Sequence, residues 1–236
     1  MKNIKDLHVS QVRIFPEGTI PYEVLSLPER FKQLKDRYHF GVGEIPIPLH
    51  VPNSPRLMIF QMGEAKIENK STIIDRLQFE GRKIVLEVAA SSNIANAVFL
   101  DFACLINEMA GDDLLSEEKG LIKTEETRCH VTLEIDYWDL FSNETKRFLS
   151  EVLPKVFDHP VAATNPTKLT FEIIFKQDFD LFQKHKIHLV PKPLTIEPRE
   201  GVPFDDHVFH TCSPFNSEAH LRLVEALEST FQKVKT

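Results

Sequence analysis

The side chains best suited to chemistry are a group of histidines and one cysteine near the C-terminus. His185 and His188 form one pair, and His207, His210 and Cys212 follow after eighteen intervening residues. Histidine and cysteine with two residues between them are typical of zinc ligands. The spacing therefore raises the hypothesis of a metal-dependent hydrolase with zinc at these five residues, which Asp205, Asp206 or His220 could complete.

The surroundings of these residues favour a different interpretation. A structural zinc site prefers thiolates, and Cys212 is the one cysteine nearby. Residues 190–204 contain four prolines, which predict a long irregular stretch rather than a rigid ligand scaffold. We therefore expect surface histidines and no cofactor, with zinc as the alternative.

No other pattern predicts a catalytic residue. The eight glycines are scattered, and no helical pattern follows Gly41 and Gly43, so a phosphate-binding loop is not predicted. We expect Cys104 inside a buried helix and Cys129 on the inward side of a strand, where thiols are inert. Cys212 is expected in a more exposed loop. The sequence thus leans away from an enzyme but leaves the question open.

Two segments alternate between apolar and polar residues, as half-buried strands do. They are residues 128–137 and 168–176, with a helical pattern between them. Val131, Leu133, Phe171 and Ile173 are expected to point into the core. This order predicts two parallel strands of a ferredoxin-like unit in the second half of the chain.

The polar side of these strands predicts a binding surface. Arg128, His130 and Lys168 would lie on one face of the sheet, where they could bind a protein partner, a nucleotide or a nucleic acid. A solvated sheet face with cross-strand charge pairs would show the same pattern.

An acidic segment is the second candidate for partner binding. Residues 101–126 contain eight acidic residues against two lysines, and the whole chain carries a net charge of −7. A protein partner could dock on Asp112, Asp113, Glu117 and Glu118, although such a segment also serves solubility alone. The negative charge makes general nucleic-acid binding unfavourable.

The remaining patterns predict an α+β fold, with a mostly antiparallel or mixed sheet covered by helices. We expect an α+β domain over residues 1–189, with subdomains 1–90 and 91–189 as an option, then a proline-rich wrap and C-terminal helix over 190–236. Residues 94–109 predict a central buried helix that ends at Gly111. No internal sequence repeat is found.

The cysteine content and the apolar segments predict the cellular compartment of the protein. Three widely spaced cysteines do not make a disulfide framework, and the first ten residues lack the apolar core of a secretion signal. The longest apolar run is too short to span a bilayer. The sequence thus predicts a cytoplasmic, non-enzymatic interaction or regulatory protein without membrane contact, and it allows a homo-oligomer.

Overall fold

The computed structural model describes residues 2–46, 56–156, 167–174, 179–187 and 192–232. Its strands form one antiparallel sheet in the order β2-β3-β4-β5-β1-β6-β9-β8-β7. The strands are β1 Lys2–Ile14, β2 Val42–Glu44, β3 Leu57–Ile67, β4 Lys70–Glu80, β5 Lys83–Val88, β6 Ile122–Thr132, β7 Leu169–Glu172, β8 Pro193–Pro198 and β9 Val208–Ser213. The expected α+β class with an antiparallel sheet is confirmed.

Two long helices pack on one side of this sheet. The helix α3 contacts β1, β3 and β5, and α7 contacts β6. The helices are α1 Tyr22–Leu25, α2 Pro28–Arg37, α3 Ser92–Ala110, α4 Asn143–Arg147, α5 Leu153–Val156, α6 Phe179–Lys184 and α7 Ser217–Gln232, and a π-helical turn joins α4 to α5. Gly111 ends α3 in the left-handed conformation, as the sequence predicts.

The chain uses one arrangement twice, although the sequence shows no repeat. In the first half, β1 is followed by the antiparallel strands β3, β4 and β5 and then by α3. In the second half, β6 is followed by β7, β8 and β9 and then by α7. The opening strands of the halves pair with each other at the centre of the sheet. One sheet therefore runs through both halves.

Each half has its own core between the sheet and its long helix. In the first half, Phe79 and Phe99 both pack against Phe102 of α3, with ring centroids 6.4 and 4.7 Å apart. In the second, Tyr137 packs against Phe209 with centroids 5.6 Å apart. Aromatic burial of this kind supplies much of the stability of such a layer.

Several expectations about local structure are wrong. β6 and β7 are not neighbours, since β9 and β8 lie between them, and the successive antiparallel pairings make them run in opposite directions. The parallel pair of a ferredoxin-like unit is therefore not found. Part of the expected irregular stretch, Pro193–Pro198, is the sheet strand β8.

Two expectations about burial also need correction. Val131 and Leu133 are buried as predicted, but Phe171 lies on the edge strand β7 with 47% of its surface exposed. The helix α3 is not buried all round, because Leu100 is 49% exposed and Cys104 is exposed. Its buried residues lie on the side that faces the sheet. Within the described residues, no helix combines the length and apolarity that crossing a bilayer demands.

Candidate functional site

The face of the sheet opposite α3 and α7 carries most of the ionisable side chains of the central strands. Along β1, Val9 is buried on the helix side and His8 points to the other side, because successive residues of a strand alternate. The register places His8 opposite Arg128 of β6 and His130 opposite His210 of β9. These side chains therefore share one face.

A cavity of about 540 Å³ lies on this face. Every described residue that lines it has an ionisable side chain. They are Asp6, His8, Arg128, His130, Arg199, Glu200 and His210, and we call this set the Arg–His surface. Its size suits a small molecule or one side chain of a partner.

Each histidine of the Arg–His surface is held by a carboxylate. His8 Nδ1 lies 2.8 Å from Asp75, and His130 Nδ1 lies 2.9 Å from Asp6. His210 Nδ1 lies 2.9 Å from Glu197 of β8. Because an ionised carboxylate only accepts hydrogen bonds, Nδ1 carries the hydrogen in all three rings. Nε2 is then the nitrogen left to face a ligand.

A local irregularity of β1 positions two of these residues. The pairing with β6 shifts register between Lys5 and His8, and Asp6 has a φ of 51°. Such bulges redirect side chains, and aspartate tolerates the left-handed conformation better than most residues. The hydrogen bond from His130 lowers the pKa of the Asp6 carboxyl below its ordinary value, so Asp6 stays ionised.

Among the described residues, the two arginines of the Arg–His surface have no such carboxylate partner. Arg128 is exposed and Arg199 is half-buried. In the described part of the chain, neither guanidinium forms a side-chain hydrogen bond or an ion pair. His130, His210 and Glu197 are neighbours across β6, β9 and β8. Arg128 precedes His130 by two residues on β6, and Arg199 follows Glu197 by two residues after β8. The two cations thus flank the histidine pair, whose ring centroids are 5.3 Å apart.

The predicted residues Arg128, His130 and Lys168 do lie on the same face. Lys168 is 3.6 Å from Glu197, which also bonds His210, so it lies beside the cavity rather than in it. The sequence prediction missed His8 and Arg199. Alternation along β1 could have identified His8, whereas Arg199 follows a strand that the prolines concealed.

The second predicted binding segment lies on another part of the molecule. Asp112, Asp113, Glu117 and Glu118 are exposed in the loop after α3. Asp113 accepts a hydrogen bond from Asn107 at 3.0 Å, and Glu117 pairs with Arg13 at 3.2 Å. Two of the four predicted carboxylates are therefore already engaged within the chain.

The four predicted zinc ligands that lie within the described residues are not brought together. His185 lies just after α6, His207 directly before β9, and His210 and Cys212 along β9. His188 lies outside the described residues. Among the residues that the structure describes, no three or more His, Cys, Asp or Glu side chains are placed to hold a metal ion. Burial, with Glu126 nearby, raises the pKa of the Cys212 thiol to about 11.

A cluster of one histidine, two hydroxyl groups and one thiol is buried in the core. His220 of α7 has no exposed surface, and its Nδ1 lies 2.7 Å from the hydroxyl of Ser213. Its Nε2 lies 2.9 Å from Thr211 and 3.4 Å from the thiol of Cys129. A serine beside a histidine suits nucleophilic catalysis, but a fully buried pair is closed to substrate. The cluster holds α7 to β6 and β9.

No protein-family model matches this chain, and the search of curated proteins found no match.

Proposed function

We propose that this protein is a non-enzymatic cytoplasmic binding protein that takes an acidic segment of a partner protein on the Arg–His surface. The observation that carries the proposal is a pair of guanidinium groups at one cavity, Arg128 and Arg199, which form no ion pair or side-chain hydrogen bond with the described residues. Arginine at a concave surface is the residue type most suited to bind carboxylate or phosphate groups of a partner.

Binding is favoured over catalysis by the composition of the cavity. A histidine held by a carboxylate is a competent general base, but the described residues that line this cavity include no serine, threonine or cysteine. Cys212 lies on the same strand as His210, and the raised pKa of its thiol keeps it protonated near neutral pH. These features supply orientation and charge without a nucleophile.

The observations favour protein binding at the Arg–His surface over partner binding at the acidic loop after α3, residues 112–118, and over nucleic-acid binding. In this loop, Asp113 and Glu117 already bond to Asn107 and Arg13 of the same chain. Long nucleic acids are disfavoured because Asp6 and Glu200 line the cavity and the net charge is −7. Among the described residues that line the cavity there is also no Phe, Tyr or Trp on which a base could stack. A short acidic segment of a partner protein avoids much of this repulsion between negative charges.

Affinity capture from the native cells tests the proposal. The bait is the full chain, the Arg128→Glu/Arg199→Glu variant, or the control Arg147→Glu/Arg222→Glu. The control changes two exposed arginines outside the cavity and reverses the same charge. We expect one partner to bind the wild type and the control, to be lost from the surface variant, and to bind more weakly as salt rises. Equal capture by the two double variants would refute the proposal.

A further inference from the structure

Resting on the proposed function, we infer that the acidic group bound at the Arg–His surface is a phosphate monoester. In this arrangement Arg128 and Arg199 bind its oxygens from two sides, and the Nε2 atoms of His130 and His210 donate to it from below. The surface is thus a phosphate site built on the central strands of the sheet rather than at a glycine-rich loop or a helix end.

The number of donors favours phosphate over carboxylate. Each guanidinium offers a planar fork of N–H groups that can donate to two oxygens. Two forks and two imidazoles exceed what the two oxygens of one carboxylate can accept. A phosphate monoester presents three strong acceptor oxygens and carries a charge between about −1.5 and −2 at neutral pH. It therefore uses more of the donors that line this cavity.

The orientation of the imidazoles supports the same conclusion. Asp6 and Glu197 fix the Nδ1 atoms of His130 and His210, so both Nε2 atoms face away from these carboxylates. Nε2 donates when the ring is protonated, and a dianion beside it stabilises that protonated form. The two carboxylates thus position the rings, much as outer carboxylates orient histidine ligands elsewhere.

The surrounding carboxylates oppose an extended polyanion more than a compact anion. Asp6 and Glu200 line the cavity, and Asp75, Glu126 and Glu197 lie on the same face around it. Lys168 pairs with Glu197 and adds little free positive charge. An extended polyanion would place charges next to these groups, whereas one phosphate concentrates its charge between the arginines.

NMR titration of the full chain provides the test. The signals observed are the imidazole Hε1 protons of His130 and His210. The probes are the capped peptide acetyl-Ala-phosphoserine-Ala-amide, inorganic phosphate, and glutarate as a dicarboxylate control. We expect saturable shifts with the phosphopeptide and about tenfold weaker binding of glutarate. Tighter binding of the peptide than of inorganic phosphate would assign the phosphate to a protein partner, and equal binding would assign it to a small phosphate.

Charge-preserving variants make the test specific. Arg128→Lys and Arg199→Lys keep the positive charge but lose the planar fork, so each should weaken phosphopeptide binding about tenfold. Arg147→Lys and Arg222→Lys are the matched controls and should bind as the wild type does. The thermal unfolding midpoint of every variant is compared first, so that a folding defect is not mistaken for lost binding.

Two results would overturn the phosphate inference. One is the absence of saturable shifts at His130 and His210 with both phosphate probes, and the other is equal binding of glutarate. If either occurs while Arg128→Glu/Arg199→Glu still loses the captured partner, the proposed function stands with a carboxylate segment as ligand. If partner capture is also unaffected, both proposals fall.

Discussion

Ser92 and Ser217 bond to each other's backbone at the starts of α3 and α7. The N–H of Ser92 donates to the hydroxyl oxygen of Ser217 at 3.0 Å, and the N–H of Ser217 donates to that of Ser92 at 2.9 Å. Each serine is the first residue of its helix, where backbone N–H groups lack partners within the helix. Each half of the protein thus provides the hydrogen-bond acceptor for the first backbone N–H of the other half's long helix.

Replacing either serine with alanine should destabilise the fold. Both residues are buried, so Ser92→Ala or Ser217→Ala leaves one backbone N–H of the other helix without a partner, at a cost of about 1–2 kcal/mol. The measurement is the free energy of unfolding in urea. The control is Ser229→Ala, an exposed position of α7, which should change stability by less than about 0.5 kcal/mol. Losses no larger than in the control would show that the paired bonds do not stabilise the fold.

The sequence predicted the elements whose patterns are local. Gly111 marked the end of α3. Alternation along residues 128–137 identified the buried side chains correctly, although β6 itself ends at Thr132 and the predicted strand was therefore too long. A strand shows its faces through alternation alone, so Arg128 and His130 were placed correctly on one face. Pairing between strands distant in sequence has no such local signal.

The candidate site depends on that distant pairing. Arg199 and His210 join Arg128 only because β8 and β9 lie beside β6. The four prolines of residues 190–204 concealed β8, whose first and last residues are prolines at positions that strands accept. The bulge that turns Asp6 toward His130 is likewise a property of the paired strands. Spacing along the chain therefore could not identify this cavity.

The buried imidazole of His220 should make stability depend on pH. Burial, with a smaller contribution from His210, lowers the pKa of His220 from 6.5 to about 4. In the unfolded chain the His220 ring therefore binds a proton below about pH 6.5, whereas in the folded chain it binds one only below about pH 4. The stability due to the neutral ring is therefore complete above pH 6.5 and is lost as pH falls to 4, by roughly 3 kcal/mol.

Urea unfolding between pH 7.5 and pH 4 measures this loss. His220→Gln should flatten the pH dependence, whereas His39→Gln, at an exposed position, should leave it as in the wild type. NMR of the folded wild type gives an independent check, since the His220 ring should not titrate above pH 5. Titration near pH 6.5 would show that the ring is accessible to protons, contrary to its complete burial.

The three cysteines should differ in their reaction with a thiol reagent. Cys104 is exposed on α3, opposite to the sequence prediction, and should react first. Burial raises the pKa of the thiols of Cys129 and Cys212, with nearby Glu126 adding to the effect at Cys212. Both should react slowly until the protein unfolds. Reaction with a chromogenic disulfide at pH 8 measures the rates, and Cys104→Ser should remove the fast phase. Removal of that phase by Cys212→Ser instead would contradict the partial burial of Cys212 on β9.

Replacing Gly63 with alanine should disturb the core of the first half. A Cβ atom at this position would overlap the ring of Phe40, and it would also lie 3.0 Å from the carbonyl oxygen of Tyr38. Phe40 is 3% exposed and packs against Phe60 with ring centroids 5.2 Å apart, so the ring has little room to move. We expect Gly63→Ala to lower the free energy of unfolding by about 1–3 kcal/mol, which is typical of an overpacked core.

The matched control for this substitution is Gly41→Ala. There the nearest atom is the methyl carbon of Met62, at 3.2 Å, and this side chain is 64% exposed and free to turn aside. Gly41→Ala should therefore change stability by less than about 0.5 kcal/mol. Urea unfolding of both variants gives the comparison. Similar losses of stability in the two variants would mean that the ring of Phe40 moves aside as easily as an exposed methionine side chain. That result would contradict the close packing of Phe40 against Phe60.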